Sequence, residues 1–85
     1  MKPNFTIKTV TRGHIVCEFD GKRATIPGEA LLPGHPSPDF VIFERMLTKW
    51  DPPHDGVPMD EPTKRRLLAL VVSEMRKSGT DVQID

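Results

Sequence analysis

The chain has little of what usually reveals a function through composition. Among its 85 residues Cys17 is the only cysteine, so an internal disulfide or a cysteine-based zinc site is excluded. Twelve Lys and Arg balance 12 Asp and Glu, so no positive excess indicates nucleic acid. No apolar run approaches the roughly 18 residues of a membrane-spanning helix, and no signal peptide is recognisable. We expect a small cytoplasmic protein with no membrane partner, folded as a single domain over residues 1–85.

Proline, in contrast, is abundant. Nine prolines in 85 residues are about twice the average usage of ~5%. Most of them fall in two stretches, residues 27–38 and 52–62. Apolar patterning persists between these stretches, which predicts two shaped loops within an ordered fold and not a disordered chain.

The N-terminal third predicts a three-stranded meander. Apolar and polar residues alternate over residues 5–9 and 15–19, which is typical of strands with one buried face. Asp20-Gly21 is a favoured two-residue hairpin turn, because type I′ geometry needs positive φ at both positions. This turn predicts three pairs on one face: Phe19 with Lys22, Cys17 with Ala24, and Ile15 with Ile26.

The turn around Gly13 is compatible with two registers. A two-residue Arg12-Gly13 loop pairs Val10 with Ile15. A three-residue loop over residues 11–13 places Gly13 in the left-handed conformation. A slip of one residue moves every side chain to the other face, so we favour the three-residue loop because it keeps the apolar residues together. The pairs that it predicts are Ile7 with Cys17 and Phe5 with Phe19.

The rest of the chain predicts an α+β fold, with one C-terminal helix packed on a small, mainly antiparallel sheet. Pro27 is expected to end the third strand, and residues 28–39 to form a loop. A strand near 40–43 should be covered on both faces, while residues 44–50 fit either a strand or a helical turn. Apolar spacing predicts a helix near 61–78, with Asp60 as N-cap and Gly79 after its end. A short strand follows near 82–84.

Charge is balanced in sum but not along the chain. Residues 1–28 carry five basic and two acidic side chains, residues 29–62 two basic and seven acidic, residues 63–78 five basic and one acidic, and residues 79–85 two acidic. The acidic block is expected to lie mainly in the two proline-rich loops.

The densest polar group is Asp51-Pro-Pro-His54-Asp55. No second histidine lies at helical spacing, so a metal site is disfavoured relative to a solvated acidic loop. A third interpretation is a recognition surface, in which acidic groups on a stiff loop flank Trp50 as an amphipathic anchor. Trp50 fits equally well as a core residue under the helix.

No arrangement indicates an enzyme or a cofactor. Cys17 falls on the inward face, where it resembles a small core residue more than a nucleophile. Glu29 and Asp39 could form a carboxylate pair, but nothing in the sequence sets their separation. The histidines occupy separate turns or loops without a serine partner: His14, His35 and His54.

The predicted helix is basic at both ends, with residues 64–66 at its start and Arg76 and Lys77 at its end. It contains no aromatic residue to stack on bases. A solvated face is therefore favoured over direct nucleic-acid binding, which remains the alternative function: a small nucleic-acid-associated or regulatory module that uses this helix.

The middle and C-terminal parts resemble a known family. The residues that carry the resemblance are Gly28-Glu29-Ala30-Leu31-Leu32, Pro38-Asp39-Phe40-Val41-Ile42-Phe43, Lys49-Trp50-Asp51-Pro52-Pro53-His54, Val57-Pro58-Met59 and the helical Arg66-Leu67-Leu68. In this order and spacing they resemble the immunity protein 74 family of bacterial polymorphic-toxin systems, which include contact-dependent growth inhibition. The resemblance covers roughly residues 12–85, and the stretch from Pro33 to Pro38 departs from it as an insertion-like loop.

The resemblance implies a cytoplasmic antitoxin without catalytic residues. Such a protein binds the C-terminal domain of a cognate toxin stoichiometrically, and we expect this toxin to be a nuclease. Its basic, phosphate-binding cleft would meet acidic groups of the loops. The expected partner-binding residues are Glu29, Trp50, Asp51, His54 and Asp55. The exposed edges of a small sheet also allow a homodimer.

Overall fold

A computed structural model describes residues 4–32 and 38–85 as a five-stranded sheet and one helix. The role predicted for the loop over residues 33–37 and the position of His35 lie outside the described residues. The strands pair in chain order, antiparallel except for the parallel pair of β4 and β5. This arrangement confirms the predicted α+β fold, a mainly antiparallel sheet with one C-terminal helix. The elements are β1 (Phe5–Val10), β2 (His14–Phe19), β3 (Lys22–Ala30), β4 (Phe40–Ile42), a 3₁₀ turn (Glu44–Met46), α1 (Glu61–Lys77) and β5 (Val82–Ile84).

The hairpin between β2 and β3 confirms the predicted turn. Asp20 and Gly21 have φ values of 50° and 79°, as the type I′ geometry requires. Phe19 pairs with Lys22, and the pairs follow without a break to His14 and Pro27. The apolar residues of both strands therefore share one face.

The hairpin between β1 and β2 contains both predicted registers, each in one half. Away from the turn Ile7 pairs with Cys17, whereas near the turn Val10 pairs with Ile15. A β-bulge at Lys8 absorbs the extra residue. The predicted left-handed Gly13 is wrong, because among the described glycines those with positive φ are Gly21 and Gly79. The extra residue thus sits inside the strand and not in the turn.

The third strand does not end at Pro27. It continues to Ala30, and the Pro27 carbonyl accepts a hydrogen bond of 2.9 Å from the Phe43 N–H. The N–H and carbonyl of a strand residue point to the same side, so the missing N–H of Pro27 faces the position just beyond β4. The next residue, Gly28, has to be a glycine because an added Cβ would overlap the Phe40 ring. The predicted loop over residues 28–39 is therefore shorter.

Strand β4 is covered on one face only, contrary to the prediction of two. Phe40 and Ile42 are buried, whereas Val41 between them is half-buried. The chain then makes the 3₁₀ turn Glu44–Met46, so the helical alternative is confirmed for the first part of residues 44–50, and Leu47 is extended. Leu47, directly after this turn, is buried in the core.

Helix α1 begins and ends close to the predicted positions. The Thr63 N–H donates to the Asp60 carboxylate at 3.0 Å. Hydrogen bonding to the Thr63 side chain, and then to its N–H, lowers the pKa of Asp60. After Lys77 the backbone passes through Gly79, whose φ of 83° suits only glycine without strain. The buried stripe of the helix is Leu67, Leu68, Val71 and Met75.

The sheet has a covered face and an open face. On the covered face α1 and the chain around Trp50 close a single apolar core. The open face carries the side chains at alternating positions, which are half-buried or exposed throughout. We define the open face by Thr6, Thr9, His14, Val16, Glu18, Arg23, Thr25, Pro27, Glu29, Val41 and Gln83.

We expect Gly28→Ala to destabilise the fold by about 1–3 kcal/mol, the usual range for an overpacked site. The new methyl group would overlap the Phe40 ring and the Val41 carbonyl. Gly13→Ala is the matched control, because a Cβ at Gly13 meets open space. Urea unfolding followed by Trp50 fluorescence measures both variants. Equal midpoints would contradict the close approach of β3 and β4 at Gly28.

Candidate functional site

The structure places the five expected partner-binding residues on two elements and in the core. Glu29 is exposed on β3, opposite Val41, so its predicted position in a proline-rich loop is wrong. Asp51, His54 and Asp55 lie in the acidic loop, which we define as residues 47–60 between the 3₁₀ turn and α1. Trp50 belongs to the same loop by sequence, but its side chain is 1% exposed.

The acidic loop is fastened to the free part of the β3 edge. Strand β4 pairs with β3 only from Gly28 to Ala30, which leaves the first half of that edge for the loop. The Asp51 N–H donates to the Arg23 carbonyl at 2.8 Å. The Thr25 hydroxyl donates to the Asp51 carboxylate at 2.7 Å. Asp51 is thus held by both its main chain and its side chain. We call these two hydrogen bonds the clasp.

A compact turn follows this clasp. The His54 N–H donates to the Asp51 carbonyl, and the Val57 N–H donates to the His54 carbonyl, both at 2.9 Å. The bond between Pro52 and Pro53 is cis. His54 is half-buried and Asp55 is exposed, so the turn presents the second carboxylate to solvent at a defined position.

Trp50 supports the loop from inside the core. Its ring lies parallel to the Phe19 ring, with 6.5 Å between centroids and 6° between planes. The Lys22 ammonium lies 5.5 Å from the ring centroid. The indole N–H is buried and has no acceptor among the described residues. These contacts match the core interpretation of Trp50, because a ring so deeply buried offers no surface to a partner in this conformation.

The groups considered for catalysis serve the fold. Cys17 is fully buried, and burial together with the nearby Asp51 carboxylate raises its pKa to about 12. The thiol is therefore not a ready nucleophile at neutral pH. The Asp39 carboxylate accepts a hydrogen bond of 2.8 Å from the Asp81 N–H, and this bond ties the start of β5 to β4. The Thr11 hydroxyl lies 3.2 Å from the His14 ring nitrogen Nδ1.

The described residues contain neither a group of metal ligands nor a membrane-spanning helix. Over residues 4–32 and 38–85, no three side chains of His, Cys, Asp or Glu are grouped so that they could hold a metal ion. In the same part of the chain, no helix has the length and apolar character required to cross a bilayer.

The basic residues of α1 are used in different ways. Arg66 lies over the Phe19 ring, 5.9 Å from its centroid, and so covers the core through its side-chain stem. Lys77 pairs with Glu74 at 3.1 Å. Arg65 and Arg76 are exposed. The helix thus presents positive charge on the side of the molecule opposite the open face.

Sequence reasoning missed two residues that shape the site. Thr25 clasps Asp51, and its only sequence signal is its position between the inward-facing Ala24 and Ile26. Met46 is 63% exposed at the end of the 3₁₀ turn. Neither role could be assigned while residues 44–50 fitted two conformations, because the path of the chain past the β3 edge depends on that turn.

We expect Trp50→Ala to reduce the free energy of unfolding by about 3–5 kcal/mol. Such a loss is large because the total free energy of unfolding of a typical domain is only roughly 0.05–0.15 kcal/mol multiplied by its number of residues. Trp50→Phe retains an aromatic ring and removes the unpaired N–H, so its loss should be smaller. Urea unfolding followed by circular dichroism compares the two variants. A loss below about 1 kcal/mol for Trp50→Ala would contradict its place in the core.

The Cys17 thiol should resist iodoacetamide in the folded protein at pH 8 and react once urea unfolds the chain. The pKa is 9.0 ordinarily and about 12 in the fold, so the unfolded state releases this proton first as pH rises. The free energy of unfolding should therefore fall from pH 9 toward pH 12, by up to about 1.4 kcal/mol per pH unit. The Cys17→Ala variant should lack this contribution. Rapid labelling of the native protein would contradict the burial of the thiol.

Comparison with known families assigns the chain. The family model for immunity protein 74 matches residues 7–85. No curated protein and no solved structure shows a significant match. The matched range includes the acidic loop, the residues that clasp it and every element after the first two residues of β1. The chain belongs to the immunity protein 74 family.

Proposed function

We propose that this protein is a cytoplasmic antitoxin that binds and neutralises the C-terminal domain of a cognate bacterial toxin. The system would be of the polymorphic-toxin or contact-dependent growth inhibition type, and the toxin domain a nuclease. The observation that carries the proposal is the match to immunity protein 74 over residues 7–85. Inhibition would be stoichiometric and would require no catalytic residue or cofactor of the antitoxin.

The geometry of the acidic loop supports such a role. A loop that is already held in place loses little conformational entropy on binding, so more of the contact energy appears as affinity. The clasp from Thr25 and the buried Trp50 ring hold this loop on either side of Asp51. Its exposed carboxylates would attract the positive cleft of a nuclease and accelerate encounter.

The proposed contributions of the site residues follow from their positions. Asp55 is exposed and would contact basic groups of the toxin directly. Asp51 is half-buried, so it would supply charge while it holds the loop. Half-buried His54 would pack at the edge of the interface. Glu29 would contribute from β3, and Trp50 would act by keeping the loop in place.

Co-expression with the toxin domain encoded next to this chain tests the proposal. We expect a complex of equal stoichiometry in size exclusion with mass and absorbance detection, and restored growth of cells that express the toxin. Separate proteins without rescue would contradict the antitoxin function. Nucleic acid that co-elutes at low salt and leaves at high salt would instead favour the basic helix as a binding module.

We expect the double variant Asp51→Asn, Asp55→Lys to weaken toxin binding at least about tenfold, which is about 1.4 kcal/mol. Asparagine keeps an acceptor for the Thr25 hydroxyl, so the clasp can survive the loss of charge. Affinity is measured by calorimetry on variants that unfold at the wild-type urea midpoint.

The control for charge is Glu74→Lys, matched to Asp55→Lys alone. Glu74 is exposed on α1, 13 residues after the helix start, or about 20 Å along its axis. Its ion pair with Lys77 is exposed and contributes little stability. A loss of affinity for Glu74→Lys equal to that for Asp55→Lys would show a general effect of net charge and would contradict the loop as the site.

A further inference from the structure

We propose that the free edge of β1 binds a second copy of this chain, through antiparallel pairing of the two β1 strands about a twofold axis at Thr6. This inference goes beyond the proposed function, because it concerns the free protein and not its complex with a toxin. Three features of β1 support it: outward main-chain groups, an adjoining apolar hollow and a sequence that is complementary to itself.

The free edge of β1 presents the main-chain groups of Phe5 and Ile7. The Asn4 carbonyl accepts a hydrogen bond of 2.9 Å from the Asp20 N–H, so Asn4 points toward β2. Antiparallel pairs alternate between hydrogen-bonded and non-hydrogen-bonded, and the register is regular from Phe5 to Ile7. The N–H and carbonyl groups of Phe5 and Ile7 therefore point away from β2. On that side, no strand within the described part of the chain pairs with β1.

An apolar hollow lies beside this edge on the covered face. Its volume is about 840 Å³, and its apolar lining includes Phe5, Ile7, Val10, Phe40 and Met75. Phe5 and Ile7 are only half-buried, and Val10 is 45% exposed. Helix α1 thus leaves the outermost strand incompletely covered. A strand added at this edge would bring its own apolar side chains next to those of Phe5 and Ile7.

Strand β1 itself meets the requirements for that added strand. The partner has to place outward main-chain groups opposite those of Phe5 and Ile7. This condition is met when Phe5 pairs with Ile7 of the second copy and Ile7 pairs with its Phe5. Both pairs are hydrogen-bonded, and each joins an aromatic to a β-branched side chain on the covered face. Thr6 then lies opposite Thr6 of the second copy on the open face. Aromatic with β-branched and Thr with Thr are favourable cross-strand pairs.

The charge of the edge is compatible with this register. Lys8 is the one charged residue of β1 and is exposed, and it lies opposite Asn4 of the second copy. The two Lys8 residues are then separated by roughly 13 Å along the strands, which is more than the Debye length of about 8 Å. The β-bulge at Lys8 ends the regular part of the edge and confines the pairing to residues 4–8. So short an interface predicts a dimer in exchange with the monomer.

The acidic loop stays accessible in such a dimer. It is fastened to Arg23 and Thr25 on the edge of β3 that faces away from β2, whereas β1 lies on the other side of β2. The loops of the two copies are therefore far from the twofold axis. Each copy can bind one toxin domain, which agrees with the equal stoichiometry expected above.

The test is the association of the free chain without toxin, measured by sedimentation velocity over a series of protein concentrations. Thr6→Asp places two carboxylates directly opposite each other on the axis. Thr9→Asp is the matched control, since it makes the same change at an exposed position of the same strand and face, beyond the bulge. Urea midpoints establish that both variants fold.

We expect the wild-type chain and Thr9→Asp to dimerise as concentration rises, and Thr6→Asp to dimerise at least about tenfold more weakly, because like charges directly opposite are destabilising. A wild-type chain that stays monomeric at every concentration would overturn the dimer. A dimer that both substitutions weaken equally, or that neither weakens, would place the contact elsewhere and overturn the pairing of the β1 strands.

Thr6→Cys provides a second readout that does not depend on charge or on the folding of Thr6→Asp. The Cα atoms of a non-hydrogen-bonded antiparallel pair are about 4.5 Å apart, within the range of about 4.4–6.8 Å found in disulfides. Oxidised glutathione should link two copies of Thr6→Cys and should link Thr9→Cys far more slowly. Cys17 is buried and does not compete. Equal rates of linkage for the two variants would contradict the register.

Toxin binding separates this inference from the antitoxin function. A dimer that binds no toxin would contradict that function and leave the pairing of β1 intact. A wild-type monomer whose toxin affinity falls in Thr6→Asp but not in Thr9→Asp would assign the edge to a strand of the toxin, and would overturn the second copy as its occupant.

Discussion

One helix has to bury the apolar side of five strands, and this shortage of covering elements determines the rest of the architecture. Helix α1 offers one buried stripe, Leu67, Leu68, Val71 and Met75. That stripe can close one face of the sheet but not two. The acidic loop completes the cover with Leu47 and Trp50, both buried. The other face is left half-buried or exposed over the described residues, as is common for antiparallel sheets.

The clasp at Asp51 connects core and surface. On one side Trp50 fills the core against Phe19, and on the other the Asp51 carboxylate accepts from Thr25 on the open face. The adjacent residues Trp50 and Asp51 therefore connect the core to the open face. A partner that contacts Asp51 meets a group whose position is set by core packing. This coupling explains how a loop that carries the exposed Asp55 and Asp60 keeps a defined shape.

Elements with a local cause could be predicted from the sequence. The Asp20-Gly21 turn, the Asp60 cap and Gly79 after α1 each need only their immediate neighbours, and the structure has all three. Features that depend on distant residues could not. The strand runs past Pro27 because the Phe43 N–H donates to the Pro27 carbonyl and no N–H from Pro27 is required there. The bulge at Lys8 reconciles two turns that each looked consistent alone.

The candidate site shows the same division. The acidic character of residues 51–60 can be read from the sequence. For Trp50 the sequence offers two alternatives, surface and core. The burial of that ring could not be decided, because it depends on Phe19 and Lys22 on the far side of a hairpin. The apolar periodicity of the sequence does not indicate the roles of Met46 and Thr25. Their roles arise only where the chain crosses the β3 edge.

The parallel pairing of β4 with β5 has a consequence for how the fold is acquired. Phe40 and Val82 are opposite each other although 42 positions separate them along the chain. The three N-terminal strands are joined by tight turns, and hairpins of this kind form within microseconds. Pairing of β4 with β5 closes a much longer loop, which contains α1. Closing this loop costs more entropy and is therefore slower. The meander, and most of the open face with it, is therefore expected to be organised early, before the core on its other side is sealed.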